Sequence, residues 1–204
     1  MRRVATIGLS MVAVGSLALA VRAPATSVRA AACPGEFRWS VKTLSDDRAG
    51  LVNYTPVDRT VQQLRAIKRP KTPIGTQTSR LRGSERKSFR VKARVVKVKR
   101  EGDGDFHLVI QGLTTSGTMV TELPDPTCDG AAHSAKRTQM AAARTALTTA
   151  CGTVTTSFHP LSGMVTVTGV GFFDKIHNSV GQTPAFLELH PLLSFTAASC
   201  RRLP

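Results

Sequence analysis

Apolar and polar residues alternate in several short segments between residues 87 and 196, and one helical segment interrupts the series. Alternation with a period of two predicts strands, because successive side chains of a strand point to opposite faces. The predicted strands are 88–99, 105–111, 118–123, 164–172 and 186–195. Apolar residues on one face between about residues 134 and 150 predict a helix before the fourth strand. This β-β-β-α-β-β order is that of a five-stranded OB-like barrel, so the sequence predicts a mainly β fold with one main helix.

The first predicted strand changes phase in its middle. Phe89, Val91 and Ala93 place apolar side chains at odd-numbered positions, whereas Val96 and Val98 place them at even-numbered positions. A change of phase within one strand indicates a β-bulge, in which an extra residue bends the strand. Such a bend would allow the strand to contribute to both halves of a closed sheet.

The first 32 residues have the pattern of a secretory signal peptide. Arg2 and Arg3 precede a run without charge or proline at residues 4–21, and Ala-x-Ala patterns follow at 18–20 and 30–32. A basic start, an apolar middle and small residues at the exit are typical of a cleaved signal. The alternative is a membrane anchor, since the apolar run just reaches the length of a spanning helix. We predict cleavage, with no stable transmembrane segment afterwards, and hence a location outside the cell or on the exterior of its envelope.

Four cysteines, Cys33, Cys128, Cys151 and Cys200, lie in the predicted exported part. An even number of cysteines in an exported chain usually forms disulfides, although some thiols can stay free and buried. The predicted helix would hold Cys128 and Cys151 roughly 25 Å apart at 1.5 Å per residue, whereas bridged Cα atoms lie within about 7 Å. Four cysteines allow three connectivities, and this distance disfavours the one that contains Cys128–Cys151. Of the remaining two, we favour Cys33–Cys128 with Cys151–Cys200.

Residues 33–86 are predicted to form an N-terminal arm and residues 87–204 the OB-like barrel domain. In the arm, residues 37–42 are expected to be extended. Thr60 is a suitable N-cap for a short helix whose apolar residues share one face. Residues 71–86 are rich in Pro, Gly, Ser, Thr and basic residues, which predicts a basic linker or a mobile loop.

The formal charge is +15 for the whole chain and +11 without residues 1–32, which hold four arginines and no acid. Fifteen Lys or Arg residues and a single acid lie between Arg59 and Arg100. Such a basic block favours a polyanion partner, either nucleic acid or an anionic glycan, although it could also serve only solubility. Alternate residues of the first strand would face outward together and could contact successive phosphates. The predicted polyanion-binding residues are Arg90, Lys92, Arg94, Lys97 and Lys99.

Histidines lie close to carboxylates in three places, on the second and fifth predicted strands and just after the fourth. Side chains at positions i and i+2 of a strand point the same way, so each strand would carry a carboxylate–imidazole pair. If the three pairs converge, they could ligate zinc or another divalent metal, or act as general acid and base. The alternative is ordinary turn chemistry and polar pairing. The six candidate metal ligands are Asp105, His107, Asp174, His177, Glu188 and His190.

Segments spread over nearly all of the predicted mature chain resemble a group of secreted bacterial proteins of no assigned function. These segments are 39–43, 103–110, 122–126, 165–174 and 188–191. A more distant resemblance is to thermonucleases, which are secreted OB-fold phosphodiesterases, and it comes from Asp103-Gly104-Asp105 and Asp125-Pro126. Thermonucleases place an arginine in the third strand to hold the phosphate, and residues 118–123 contain none. A nuclease of that kind would lack its main electrostatic stabilisation.

Together these features favour a secreted OB-like binding module for a polyanion, with no catalytic residue predicted. One alternative is a metal-dependent hydrolase or phosphodiesterase built on the His/Asp/Glu cluster, for which a divalent metal would be the cofactor. The other is an envelope-associated structural or interaction protein. Steep salt dependence of binding would support the first function, and loss of activity or stability with a chelator would support the second.

Overall fold

The computed structural model describes Cys33, Gly35 and residues 37–204. The predicted signal peptide, residues 1–32, lies outside the described residues. None of the described helices has the length and apolar character that crossing a membrane requires. The division into an arm (33–86) and a barrel domain (87–204) stays a prediction.

The described residues form six strands and three α-helices. The strands are β1 Asn53–Asp58, β2 Lys87–Arg100, β3 Phe106–Gln111, β4 Thr118–Leu123, β5 His159–Phe173 and β6 Leu187–Arg202. The helices are α1 Trp39–Lys42, α2 Val61–Arg65 and α3 Arg137–Cys151. Because α3 has 15 residues and the other two helices have four and five, a mainly β fold with one main helix is confirmed.

The predicted number of strands, five, is wrong. The predicted β-β-β-α-β-β series is present as β2 to β6 with α3, but β1 adds a sixth strand by pairing in parallel with β2. Pro56 makes β1 difficult to predict from the sequence, because proline is tolerated in strands mainly at sheet edges. The sheet order is β1-β2-β3-β4-β6-β5, and β2 also pairs with β5. Strands β2 to β6 therefore form a closed circuit of pairings.

The predicted bulge in β2 is confirmed. The register of β2 shifts between Val95 and Lys97 against β3, and between Arg94 and Lys97 against β5. Residues before the shift pair mainly with β5, and residues after it pair with β3. The bulge keeps Lys97 and Lys99 on the same outward side as the basic residues before it.

Buried residues occupy both faces of β3, β4 and β6. Leu108, Met119 and Leu189 belong to the main hydrophobic core and are fully buried. The alternate positions point away from that core, yet His107 and His190 are buried as well. A second layer must therefore cover the outer face of these strands.

The N-terminal arm supplies part of this cover. Phe37 and Val41 pack against Phe172 of β5. Residues 39–42 form helix α1 and residues 37 and 38 form the turn before it, so the expectation that residues 37–42 are extended is wrong.

Two other local predictions are confirmed. Thr60 caps α2 through its hydroxyl, which accepts a hydrogen bond from the backbone of Gln63, and the Gln63 side chain accepts one from the backbone of Thr60. The disulfides are Cys33–Cys128 and Cys151–Cys200. The first disulfide fastens the arm beside the loop before α3, and the second joins the end of α3 to β6.

Residues 71–86, predicted to be a basic linker or mobile loop, contain the buried charged side chains of Arg80 and Glu85. The Glu85 carboxylate accepts hydrogen bonds from both terminal nitrogens of Arg38, at 2.7 and 2.6 Å, and from the backbone of Phe173 at 3.0 Å. At these positions the segment is packed against β5.

Candidate metal centre

A polar pocket with a volume of about 480 Å³ opens on the outer face of the sheet. Its titratable lining comprises five carboxylates, two histidines and three lysines. The carboxylates are Glu101, Asp103, Glu122, Asp174 and Glu188, and the histidines are His107 and His177. The lysines are Lys42, Lys99 and Lys175.

Strand register places acids and histidines next to one another. In the antiparallel β3–β4 pair, His107 lies directly opposite Glu122. The single parallel pairing of Thr121 with Leu189 sets β6 beside β4. Glu188 and His190, on either side of Leu189, therefore lie on the same face of the sheet as Glu122, which follows Thr121. Side chains opposite each other on neighbouring strands have Cβ atoms about 4.5–5.5 Å apart, close enough for direct contact.

Three side chains have potential ligand atoms that all lie within 4.8 Å of one another, namely Asp105, Glu122 and His190. Asp105 Oδ2 is 3.2 Å from His190 Nε2, and Glu122 Oε2 is 3.5 Å from His190 Nδ1. Glu188 Oε2 approaches the same Nδ1 to 3.7 Å. All four side chains are buried. Both ring nitrogens of His190 thus face carboxylates.

These close approaches lack the geometry of hydrogen bonds. Within the described part of the chain, seven buried side-chain nitrogen or oxygen atoms have no hydrogen-bond partner. Five of the seven lie in this cluster: Asp105 Oδ2, Asp174 Oδ1, Glu188 Oε2 and both ring nitrogens of His190. Buried polar atoms are nearly always hydrogen-bonded in folded proteins, so their concentration at one place makes this cluster a candidate ligand site.

The cluster shifts the pKa values of its members. Burial disfavours the charged form of His190, but the adjacent carboxylates of Asp105 and Glu188 outweigh it and raise the pKa of His190 to about 9. Burial, together with the neighbouring charges of Glu122 and Asp174, raises the pKa of Glu188 to about 7. The crowding of acids that raises this pKa is the electrostatic condition that attracts a cation.

The pKa of Glu122 is lowered, in contrast to those of His190 and Glu188. Burial alone would raise its pKa, but a 2.9 Å contact with His107 and the charges of His190 and Lys42 lower it to about 2. The other ring nitrogen of His107 donates to the carbonyl of Val180 at 2.9 Å. Burial would lower the pKa of His107, but its hydrogen bond and charge interaction with Glu122 raise it. Both ring nitrogens of His107 therefore donate, and Glu122 is an ionised carboxylate held in place by an imidazolium.

Asp174 lies between a lysine and a histidine. Its Oδ1 is 3.9 Å from Lys42 Nζ, and its Oδ2 is 3.4 Å from Nδ1 of His177, which is partly exposed at the rim. Burial would lower the pKa of Lys42, but the surrounding carboxylates, Glu122 first among them, raise it instead. The lysine therefore stays charged inside the pocket.

The structure brings all six predicted ligands to this pocket or directly beneath it, although only one of the two predicted strand pairs remains. Glu188 and His190 stay together at 3.7 Å. In contrast, Asp105 pairs with His190 and not with His107, which contacts a residue of β4 instead. That these residues bind a metal stays a prediction.

Glu122 and Lys42 are among the charged residues of the pocket that the sequence interpretation missed. Glu122 is an acid within an otherwise apolar or hydroxyl-bearing strand, Thr118–Leu123, and a buried acid on a strand is rare enough to indicate a partner. Lys42 had no comparable signal, because its position depends on the packing of α1.

The five predicted polyanion-binding residues lie along β2 in two groups. Arg90, Lys92 and Arg94 are exposed. Beyond the bulge, the ammonium groups of Lys97 and Lys99 lie 4.7 and 4.9 Å from the centre of the Phe158 ring, which also lines the pocket. The second group therefore borders the candidate metal centre.

No family model, curated protein or solved structure matches the chain. The resemblances to secreted bacterial proteins of no assigned function and to thermonucleases therefore stay predictions.

Proposed function

We propose that this protein binds a divalent metal ion between Asp105, Glu122 and His190 and acts as a metal-dependent hydrolase on an anionic ester. The observation that carries the proposal is the convergence of unpartnered buried polar atoms in this cluster. Burial of carboxylate and imidazole atoms without hydrogen bonds costs free energy. One divalent cation, bound by several of these atoms, would offset this cost.

The donor set suits zinc or manganese. Two carboxylates and one imidazole are ligands that both ions accept, and three protein ligands leave a position for water in a catalytic zinc site. Glu188, whose Oε2 has no hydrogen bond, lies close enough to adjust the coordination. Water bound to such a metal becomes a nucleophile near neutral pH.

The pocket above the cluster supports a hydrolase over a purely structural metal site. Structural zinc sites are closed by four protein ligands, whereas this cluster lies beneath an open pocket of about 480 Å³. That volume falls within the range of about 300–1,000 Å³ that small-molecule sites occupy. Its three lysines offset part of the negative charge of its five carboxylates, and a bound divalent cation would offset more of it, which would allow a substrate with negative charge to bind.

Metal uptake and hydrolysis test the proposal together. The disulfide-bonded protein is dialysed against Zn²⁺ or Mn²⁺, its metal content is measured by mass spectrometry, and hydrolysis of bis(4-nitrophenyl) phosphate is followed with and without chelator. We expect one ion per chain and chelator-sensitive hydrolysis. His190→Gln should weaken metal binding at least roughly tenfold.

His133→Gln is the matched control, since His133 is an exposed histidine 3.1 Å from Asp129 and outside the pocket. This variant should bind metal as the wild type does. A wild-type chain without metal, or equal loss in both variants, would show that the proposed site is wrong.

The exposed basic face of β2 supports a second proposal, binding of nucleic acid or an anionic glycan. Lys92 and Arg94 point to solvent, whereas Arg90 is paired with Asp58 at 2.6 and 2.7 Å. Binding of a labelled single-stranded oligonucleotide should weaken steeply with salt, and neutralising Lys92 and Arg94 should flatten that dependence. Binding that ignores salt, or none at low salt, contradicts this function.

We also propose that the circuit of β2 to β6 is an OB-like barrel and that the chain is exported. The β-β-β-α-β-β order and the β2–β5 pairing support the barrel, and two disulfides support an oxidising compartment. An envelope-associated structural role is the remaining candidate if neither metal nor polyanion binds.

A further inference from the structure

Lys42 brings a positive charge into a pocket whose nearest charged groups are carboxylates. Its side chain is 10 % exposed and lines the pocket. The ammonium group is 3.9 Å from Asp174 Oδ1 and 5.6 Å from the centre of the Phe172 ring. A separation of 3.9 Å is too long for a hydrogen bond, so this ion pair leaves the ammonium free to donate to another acceptor.

Helix α1, which carries Lys42, is fixed from several directions. Arg38, directly before the helix, forms a bidentate pair with the buried Glu85. The indole nitrogen of Trp39 donates to the carbonyl of Asp129 at 2.6 Å, and the Cys33–Cys128 disulfide joins the same two regions of the chain. Because these contacts fix the backbone of α1, Lys42 is held at the pocket before any ligand arrives, which lowers the cost of ordering it on binding.

Lys42 shares the pocket lining with the proposed ligand Glu122, and its positive charge would act unfavourably on a metal held there. Like charges repel, and burial strengthens the repulsion because the local dielectric constant is low. A site that served only to hold a cation would bind it better without Lys42. The lysine gains a favourable role if an anion lies between it and the metal.

We propose that Lys42 and the metal held by Asp105, Glu122 and His190 form a binding site for an oxyanion, the phosphate or carboxylate group of the substrate. This inference rests on the proposed metal site and adds the residue that contacts the substrate. A tetrahedral or planar oxyanion can place one oxygen on a metal and another on an ammonium, and charge-assisted hydrogen bonds of this kind are among the stronger ones. Lys99 also lines the pocket, but its ammonium group is paired with Glu101 at 3.0 Å, so the proposal relies on Lys42.

Inorganic phosphate is the probe for this site. Mn²⁺ is bound to the protein first, and phosphate binding is then measured by titration calorimetry and by paramagnetic broadening of the ³¹P resonance, which reports closeness to Mn²⁺. The wild type should bind phosphate next to the metal. Lys42→Met should weaken phosphate binding roughly tenfold or more while binding Mn²⁺ equally well or more tightly, and Lys42→Arg should retain part of the phosphate affinity.

Lys68→Met is the control, since Lys68 is an exposed lysine of the arm outside the pocket lining. Lys68→Met should change neither the affinity for phosphate nor the affinity for Mn²⁺. If Lys42→Met binds phosphate as the wild type does, or the Mn²⁺-loaded wild type binds none, the role of Lys42 is overturned and the metal site stands. If the wild type binds no Mn²⁺, the proposed function itself fails. Thermal unfolding of each variant confirms that it is folded.

Discussion

Two clusters of buried charges in this protein both contain carboxylates but differ in how completely their hydrogen bonds are formed. The first lies in the arm, where the Glu85 carboxylate accepts four hydrogen bonds, two from Arg38 and one each from the backbones of Leu81 and Phe173. Nearby, Arg80 pairs with Asp46 at 2.7 Å. In this arm cluster both carboxylate oxygens of Glu85 are occupied.

The pocket cluster of Asp105, Glu122, Asp174, Glu188 and His190 is equally buried but incompletely bonded. Its acids outnumber its well-directed donors, and five of its buried atoms have no hydrogen bond. The comparison teaches that burial of charge alone does not mark a functional site. A satisfied cluster stabilises the fold, whereas an unsatisfied one has room for a ligand.

The largest expected effect comes from breaking the arm cluster. Glu85→Ala would leave the Arg38 guanidinium buried without its partner, and loss of one member of a buried pair costs about 3–5 kcal/mol. Urea unfolding of the oxidised protein measures this free energy. A loss smaller than about 1 kcal/mol would mean that the arm cluster contributes no more than an exposed pair does.

The matching substitution in the pocket cluster should increase the free energy of unfolding, whereas Glu85→Ala should decrease it. Glu188→Gln removes a carboxylate whose pKa is raised to about 7 by burial and by its acidic neighbours. Above neutral pH it should therefore stabilise the metal-free protein by roughly 1–3 kcal/mol and weaken metal binding. Urea unfolding without metal is the measurement, with Asp47→Asn, an exposed acid, as the control. If Glu188→Gln destabilises the protein as much as Glu85→Ala does, the two clusters do not differ as proposed.

The pocket cluster should also give the metal-free protein an unusual pH dependence. The pKa of His190 is raised from 6.5 to about 9 in the folded state. The contribution of His190 to the free energy of unfolding is therefore fully present below pH 6.5 and is lost as the pH rises through 9. The raised pKa of Glu188 adds a loss of stability between pH 4.5 and about 7. The lowered pKa of Glu122 acts oppositely, and its contribution is lost as the pH falls from 4.5 toward 2.

The free energy of unfolding should thus decrease above neutral pH, with a slope approaching about 1 kcal/mol per pH unit. Urea unfolding at a series of pH values, with chelator present, measures it. Stability that is flat or rises between pH 7 and 9 would contradict the assigned charge states of His190.

The smallest effect is expected at an exposed pair, which serves as the reference for both clusters. Asp58→Asn removes the partner of Arg90 in a pair that is open to solvent, so the unfolding curve should not change measurably. The released guanidinium should modestly strengthen oligonucleotide binding at low salt. A clear loss of stability would show that β1 depends on this pair, and unchanged binding would remove Arg90 from the polyanion face.

Local patterns predicted much of the fold. The alternation in β2 with its phase change at Val95 and Val96 predicted a bulged strand, because side-chain direction along a strand depends only on sequence spacing. The length of the predicted helix disfavoured a Cys128–Cys151 disulfide, since a helix separates its ends by a known distance, but it did not by itself decide between the other two connectivities. The edge strand β1 was missed, because its residues have no regular alternation and include Pro56.

The sequence alone determined which residue types the pocket would contain, but not how they pair. Residues i and i+2 on a strand lie about 6.6 Å apart along the chain, whereas neighbours on adjacent strands approach to about 5 Å. The short cross-strand distance therefore pairs His107 with Glu122 across β3 and β4. Asp105 meets His190 of β6 although β4 lies between β3 and β6 in the sheet, so this contact depends on the tertiary structure. The entry of Lys42 depends on the packing of α1 against β5. Composition and period thus specified the strands and the ligand types, while strand register and the folding of the arm over the sheet assembled them into a site.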